Sequence, residues 1–309
     1  MPLIEARTQL AIKVEGTEGS AETLAGADAV LVANAKFTPS IAMGERNNMS
    51  SSLSRWASIP GARSAKMEFD VELKGSGTAG TAPALGKLLQ GCGFGETVSA
   101  GVSVTYKPAS ASIGSYTLAM YVDGVIKKMW GARGNVSLKL EDGAPGWLHF
   151  EFTGADFSIT DGAMLSSGVS YESTKPVAFL SASLTVDSYA ALIGAMEINV
   201  NNEVTLRKDI NSSSGHRSAV ITSRKPTMTM DPEAVLVATY DFYGKLRSGN
   251  EGALSMVLTG EAGNICTITA PKVQYTGLSD DNKEGIKNYG ITCQLNRSSG
   301  DDELSIVFT

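Results

Sequence analysis

Gly75-Ser76-Gly77-Thr78-Ala79-Gly80 has the spacing of a phosphate-cradling GxGxxG turn, set between a strand-like run and a helix-like stretch. Such a turn holds a dinucleotide when it closes a parallel βαβ unit whose first strand is buried on both faces. Here Met67, Phe69, Val71 and Leu73 alternate with Lys66, Glu68, Asp70, Glu72 and Lys74, so one face of the preceding strand meets water. Antiparallel hairpin signals follow the helix, and the turn reads as a turn. The two histidines, His149 and His216, stand far apart, and no CxxC or HxxxH pair offers metal-ligand spacing. Cys92, Cys266 and Cys293 are scattered. The carboxylate runs Asp280-Asp281 and Asp301-Asp302-Glu303 fall in polar, turn-like stretches. Nothing groups a nucleophile with a base and an orienting carboxylate. The expectation is no enzyme, no cofactor and no metal.

Composition narrows the class further. Lys plus Arg number 26 against 32 Asp plus Glu, a net charge of −6 that disfavours diffuse binding to a phosphate backbone. Hydrophobic residues at 42% and charged ones at 19% favour ordered globular structure. No run of about 18 apolar residues exists to cross a membrane as a helix, and the first residues do not have the make-up of a signal peptide. Three cysteines cannot all pair, which fits a reducing cytoplasm.

The elements that would carry any site occur twice. Gly61-Ala62-Arg63-Ser64 leads into a strand and then Leu85-Gly86-Lys87-Leu88; Gly215-His216-Arg217-Ser218 leads into a strand and then Tyr243-Gly244-Lys245-Leu246. In the first copy Thr81 and Pro83 are expected to open a short helix that Gly91 closes. Asp123-Gly124 marks a tight hairpin, and Asp142 to Gly146 turns a second one. In the second copy Asp231-Pro232 is expected to open the helix and Ser248-Gly249 to end it. The order strand, loop, strand, helix, hairpin, hairpin predicts a mainly β (α+β) chain of two tandem modules, each with a short flanking helix. The expected divisions are an N-terminal arm over 1–27, a first module over 28–162, a linker over 163–175 and a second module over 176–309.

The longest irregular stretch, Met43 to Arg63, is polar and serine-rich, with Arg46, Asn47, Asn48, Arg55 and Trp56 around Met49 and Leu53. Long loops inside compact domains are commonly functional, and Trp with Arg is an anchor pair of protein contacts. The second-copy counterpart is shorter and holds Arg207, Lys208, Asp209, His216 and Arg217. Both loops, with Arg63, are candidate contact surfaces; the alternative for the first is a surface loop whose Trp folds back on its own module.

Gln9 to Glu15, Glu45-Arg46-Asn47, Ile59 to Arg63, Thr81 to Leu89 and Gly131 to Val136 together resemble the tail tube (major tail) proteins of long, non-contractile-tailed bacteriophages, especially Mu-like siphophages. The resemblance covers most of the first copy and reaches the second mainly through the repeat. It implies β-sandwich modules that join into rings, with rings stacking into a hollow tube that conducts DNA without holding it. A two-module chain then implies a trimer of pseudo-sixfold symmetry. Implied partners are further copies of the chain, a tape-measure protein, a tail terminator and distal tail proteins; the implied location is the virion tail, assembled in the host cytoplasm. Other readings are a ring-forming terminator or baseplate component, and a tandem β-sandwich ligand-binding protein.

Overall fold

Alternating apolar residues bounded by Gly, Asp and Pro dominate the chain, and strands accordingly make up 51% of the computed structural model against 5% helix. The structure describes residues 2–309. The first half contains β1 (Thr8–Val14), β2 (Ala29–Val30), β3 (Ala33–Gly44), β4 (Ile59–Glu72), α1 (Gly86–Gly91), β5 (Phe94–Ser99), β6 (Ser103–Pro108), β7 (Tyr116–Val122), β8 (Val125–Glu141), β9 (Trp147–Gly154) and β10 (Asp156–Asp161). The second contains β11 (Thr185–Val186), β12 (Ala195–Asn199), β13 (Asn202–Lys208), β14 (His216–Arg224), β15 (Thr227–Met230), α2 (Phe242–Ser248), β16 (Glu251–Leu258), β17 (Cys266–Lys283), β18 (Ile286–Asn296) and β19 (Ser305–Phe308).

The two halves share one scheme of antiparallel pairing. In the first, β3 pairs β4, β4 pairs β9, β9 pairs β8, β8 pairs β7 and β10, and β7 pairs β1. In the second, β12 pairs β15, β15 pairs β18, β18 pairs β17, β17 pairs β16 and β19, and β16 pairs β11. Strands β12 and β13 together correspond to β3, and β14 with β15 to β4. The hairpin β5–β6 belongs to the first half alone, and its β6 pairs with β19 of the second.

A second ladder joins the halves. Strand β8 is flanked by β7 over its first half; farther along, Ser137 to Glu141 pair instead with Asn199 to Ala195 of β12. The sheet β3-β4-β9-β8 therefore runs on into β12-β15-β18-β17. Its apolar rows cross the joint, with Val71 opposite Leu148, Leu148 opposite Leu138, Leu138 opposite Ile198 and Ile198 opposite Met228. All five are buried in a single core cluster. Phe69, Phe150 and Phe152 stack beside them at ring separations of 5.7 to 6.3 Å.

Local chemistry sets the ends of the elements. Asp123 and Gly124 take φ of 41° and 107°, the left-handed pair that a two-residue hairpin between β7 and β8 needs. Helix α1 starts later than expected: Thr81 does not cap it, Pro83 accepts a hydrogen bond from the Gly86 amide at 2.9 Å, and the left-handed glycine past its end is Gly93 rather than Gly91. Helix α2 is capped by Asp241, whose carboxylate accepts from the Gly244 amide at 2.7 Å, and Gly249 closes it at φ 66°. Asp231 instead accepts from the Gly194 and Ala195 amides at 2.8 and 2.7 Å, which fixes the start of β12. Within residues 1–27, expected as an arm, β1 is a full strand with Leu10, Ala11 and Ile12 completely buried.

After β1 the chain crosses to the joint. Glu15, buried, accepts from the Ser115 and Thr117 hydroxyls and the Gly131 amide. Glu18 pairs with Arg133 of β8 at 3.0 Å and Arg207 of β13 at 3.2 Å, and accepts from Ser218 of β14. Burial raises the Glu18 carboxyl, but the hydrogen bonds from Ser218 and Arg133 and the charges of Arg133 and Arg207 together hold it below its ordinary value of 4.5. A carboxyl lowered in the folded state contributes stability above its unfolded value and loses it as pH falls through the folded one. Glu18→Gln is therefore expected to cost about 1 kcal/mol at pH 7, discounted for partial exposure. The cost should shrink on acidification below 4.5. Urea unfolding of both proteins across pH 3 to 7 checks this; a difference independent of pH contradicts the charged role.

Candidate assembly interface

Strands β3 and β4 continue past the body of the sheet as a two-stranded ribbon, paired out to Gly44 with Ile59. The strands thus take up both ends of the expected Met43–Arg63 loop, leaving residues 45–58 as its tip. Ile41, Met43 and Ile59 on the ribbon are about half exposed, Met49 and Leu53 on the tip fully so. The Arg46 guanidinium lies 5.5 Å from the centre of the Trp56 ring, Arg55 pairs with Glu45 at 3.8 Å, and Trp56 is still 48% exposed. Trp56 is thus held within its own tip. Asn47 and Asn48 are exposed beside it. A solvated projection with this much apolar surface is a contact surface without its partner.

Arg63 stands apart from that tip. Its guanidinium forms a bidentate pair with the buried Asp156 of β10 at 2.5 and 3.0 Å, and its backbone amide donates to the Ser214 carbonyl at 2.9 Å. The second loop is folded tightly: the Asp209 amide donates to the Gly215 carbonyl, the Asp209 side chain accepts from the Asn211 amide, and Lys208 lies opposite His216 in the β13–β14 ladder. His216 Nδ1 lies 3.1 Å from the Arg63 carbonyl, Arg207 reaches Glu18, and Arg217 is exposed. The structure brings Arg63, Asp209 and His216 to one seam between the two ribbons and leaves Arg46, Asn47, Asn48, Arg55 and Trp56 on the free tip. Sequence reasoning did not find Glu18 or Asp156, the acids that complete this seam. Their signal, a carboxylate among otherwise apolar or small residues, is too common to single out.

The glycine-rich turn is occupied by protein. The Gly75 amide donates to Asn264 Oδ1 at 2.8 Å and the Gly77 amide to the Gly263 carbonyl at 3.1 Å, so these two N–H groups are spent on the second half. A Cβ at Gly75 would run into the Gly263 carbonyl, so close backbone approach explains the glycine. His149 Nδ1 pairs with Asp70 at 2.7 Å on the open sheet face. Burial pushes the Cys266 and Cys293 thiols up to about 12 and raises Cys92 as well, which removes them as nucleophiles. No group of His, Cys, Asp and Glu among the described residues could hold a metal ion. No helix among them is long and apolar enough to cross a membrane.

The polar face of the joined sheet is continuous. Glu72, Trp147, Lys139, Glu197, Thr229 and Thr292 lie opposite one another in turn across both halves, as do Asp70, His149, Ser137, Asn199, Thr227 and Gln294. On β3, β4, β8, β9 and β12 this face carries Glu68, Asp70, Glu72, Glu141, Glu151 and Glu197 against Lys36, Lys66 and Lys139. Two backbone edges of the same sheet are unpaired among the described residues: the side of β3 away from β4, and the side of β17 away from β18 beyond Gln274.

A family model described as phage tail tube protein matches residues 5–295. No curated protein matches the chain. The free tip makes one immediate prediction. Trypsin should cut first after Arg46 and Arg55, leaving a folded nicked chain, because exposed loop tips are the preferred sites of cleavage. Mass spectrometry of the early fragments checks it; first cleavage after Arg63 or Arg207 would contradict the assignment.

Proposed function

The chain belongs to the phage tail tube protein family, and from that premise we propose that it closes into trimeric, pseudo-sixfold rings that stack as the tube of a long non-contractile tail of the Mu-like siphophage type. One observation carries the reading: each chain already contains one copy of the joint a ring needs. Where β8 runs past β7 it receives β12, and where β17 runs past β16 the equivalent edge is open. Strand β3, the counterpart of β12, is open on the matching side. Repeating the internal joint between chains satisfies both edges, and a head-to-tail contact that closes by rotation makes a ring. The equivalence sets a register. Lys139 lies opposite Glu197 within the chain, so Ser279 of one copy is expected opposite Ala33 of the next.

In this ring the continuous polar face lines the bore. Its six carboxylates against three lysines repel phosphates over a screening length of about 8 Å, so double-stranded DNA passes without being held. The tip 45–58, with Arg46, Asn47, Asn48, Arg55 and Trp56, meets the adjacent ring, while Arg63 and the loop holding Arg207, Lys208, Asp209, His216 and Arg217 brace its base. The modules span 28–162 and 176–309, joined by the linker 163–175. Tape-measure, terminator and distal tail proteins are the expected further partners, and assembly takes place in the host cytoplasm.

Deleting Asn47 to Ser54 should leave a soluble, β-rich protein that forms no tubes in negative stain; tubes of normal length would refute the stacking role of the tip. Cysteines at Ala33 and Ser279 should trap covalent species ending at three chains under oxidation, whereas cysteines at Lys139 and Glu197 should link only within a chain. A covalent series ending at six would overturn the trimer, and assembled tubes without cross-links would overturn the register.

A further inference from the structure

The tip projects from one end of the sheet, and the opposite end carries a surface that fits it. Strand β4 runs from the tip at Ile59 to Glu72, about 43 Å at ordinary strand rise. Glu72 lies opposite Trp147, so the turn between β8 and β9 is at the far end. The ladders through β12, β15 and β18 carry that end to the β17–β18 turn. The hydrogen bond from Arg63 to Ser214 keeps both ribbons on the near side. At the far end a groove of about 430 Å³ opens between the two turns, with Leu180, Leu192 and Ile286 on its walls. These are 53%, 67% and 55% exposed. In the first half the corresponding turn is covered within the chain, where Phe179 and Ala144 exchange backbone hydrogen bonds with Gly143 alongside. The β17–β18 turn lacks such a cover among the described residues.

Charge selects the occupant. The groove holds Asp142, Glu233 and Glu284 beside an Asp231–Lys283 pair at 3.2 Å, an acidic rim around apolar walls. The tip offers Met49, Leu53 and Trp56 with two arginines against one glutamate. We propose that this groove is the socket for residues 45–58 of a second copy in the adjacent ring, with Leu53 and Met49 against Leu180, Leu192 and Ile286 and with Arg46 and Arg55 facing Glu233 and Glu284. The proposal rests on the stacking role of the tip and names what receives it. Apolar burial gives the contact its strength and the rim charges fix its polarity, so every ring stacks in the same sense.

The test combines charge reversal with cross-linking. Leu192→Asp with Ile286→Asp, both at exposed positions, should leave the chain folded by circular dichroism and able to form the ring trapped by cysteines at Ala33 and Ser279, yet unable to form tubes. Cysteines at Leu53 and Leu192 in one chain should give, on oxidation of assembled tubes, covalent ladders longer than a ring. Mixing the two single-cysteine proteins should give only pairs. Normal tubes from the Leu192→Asp, Ile286→Asp protein, or tubes without the Leu53–Leu192 cross-link, overturn the socket. If the Asn47–Ser54 deletion abolishes tubes while the socket variant does not, the stacking role of the tip stands and the socket alone falls. If the deletion leaves tubes intact, both fall.

Discussion

The ladder between β8 and β12 is the constraint on which the molecule depends. It turns two modules that could have hung from a flexible linker into one sheet with a shared apolar face and a shared polar face. Leu138 sits between Leu148 of its own half and Ile198 of the other, so the core does not end at the module boundary. Removing that ladder would expose two apolar rows and two backbone edges at once. Glu18, Arg133 and Arg207 brace the same place from the side.

Much of this was legible in the sequence wherever the signal is local. The alternation from Lys66 to Lys74 gave the face of β4 correctly, and Asp123-Gly124 marked a real hairpin. The repeated order of elements appears as the repeated pairing scheme. What sequence could not supply was partner choice. Strand β1 was missed because Gln9 and Lys13 break a short apolar run whose partner β7 lies more than a hundred residues away. Val125 to Glu141 was read as the arms of two hairpins, whereas one strand serves both, since backbone continuity through Gly131 leaves no trace in side-chain periodicity. The starts of both helices were misplaced for a related reason: Thr81 and Asp231 are plausible caps by type, and the competing hydrogen bonds are set by tertiary contacts.

For the candidate surface the outcome is divided. The run around Arg46, Arg55 and Trp56 was identifiable because length, polarity and anchor residues coincide in one stretch. Arg63, Asp209 and His216 are of the right types but work as bracing between ribbons. The groove residues Leu180, Leu192 and Ile286 are isolated apolar residues in irregular or turn-flanking segments, and only the folded chain brings them together.

The hairpin β5–β6, present in the first module alone, makes the two kinds of seam unequal. Inside a chain, the halves are held by the β8–β12 ladder and also by β6 on β19. A seam between chains built on the same plan has no second hairpin to offer and keeps only one of these two fastenings. Under bending or internal pressure, a cylinder of such subunits would open between polypeptides first. Damage would then release whole, intact chains instead of torn ones, and every released chain would be fit to join again.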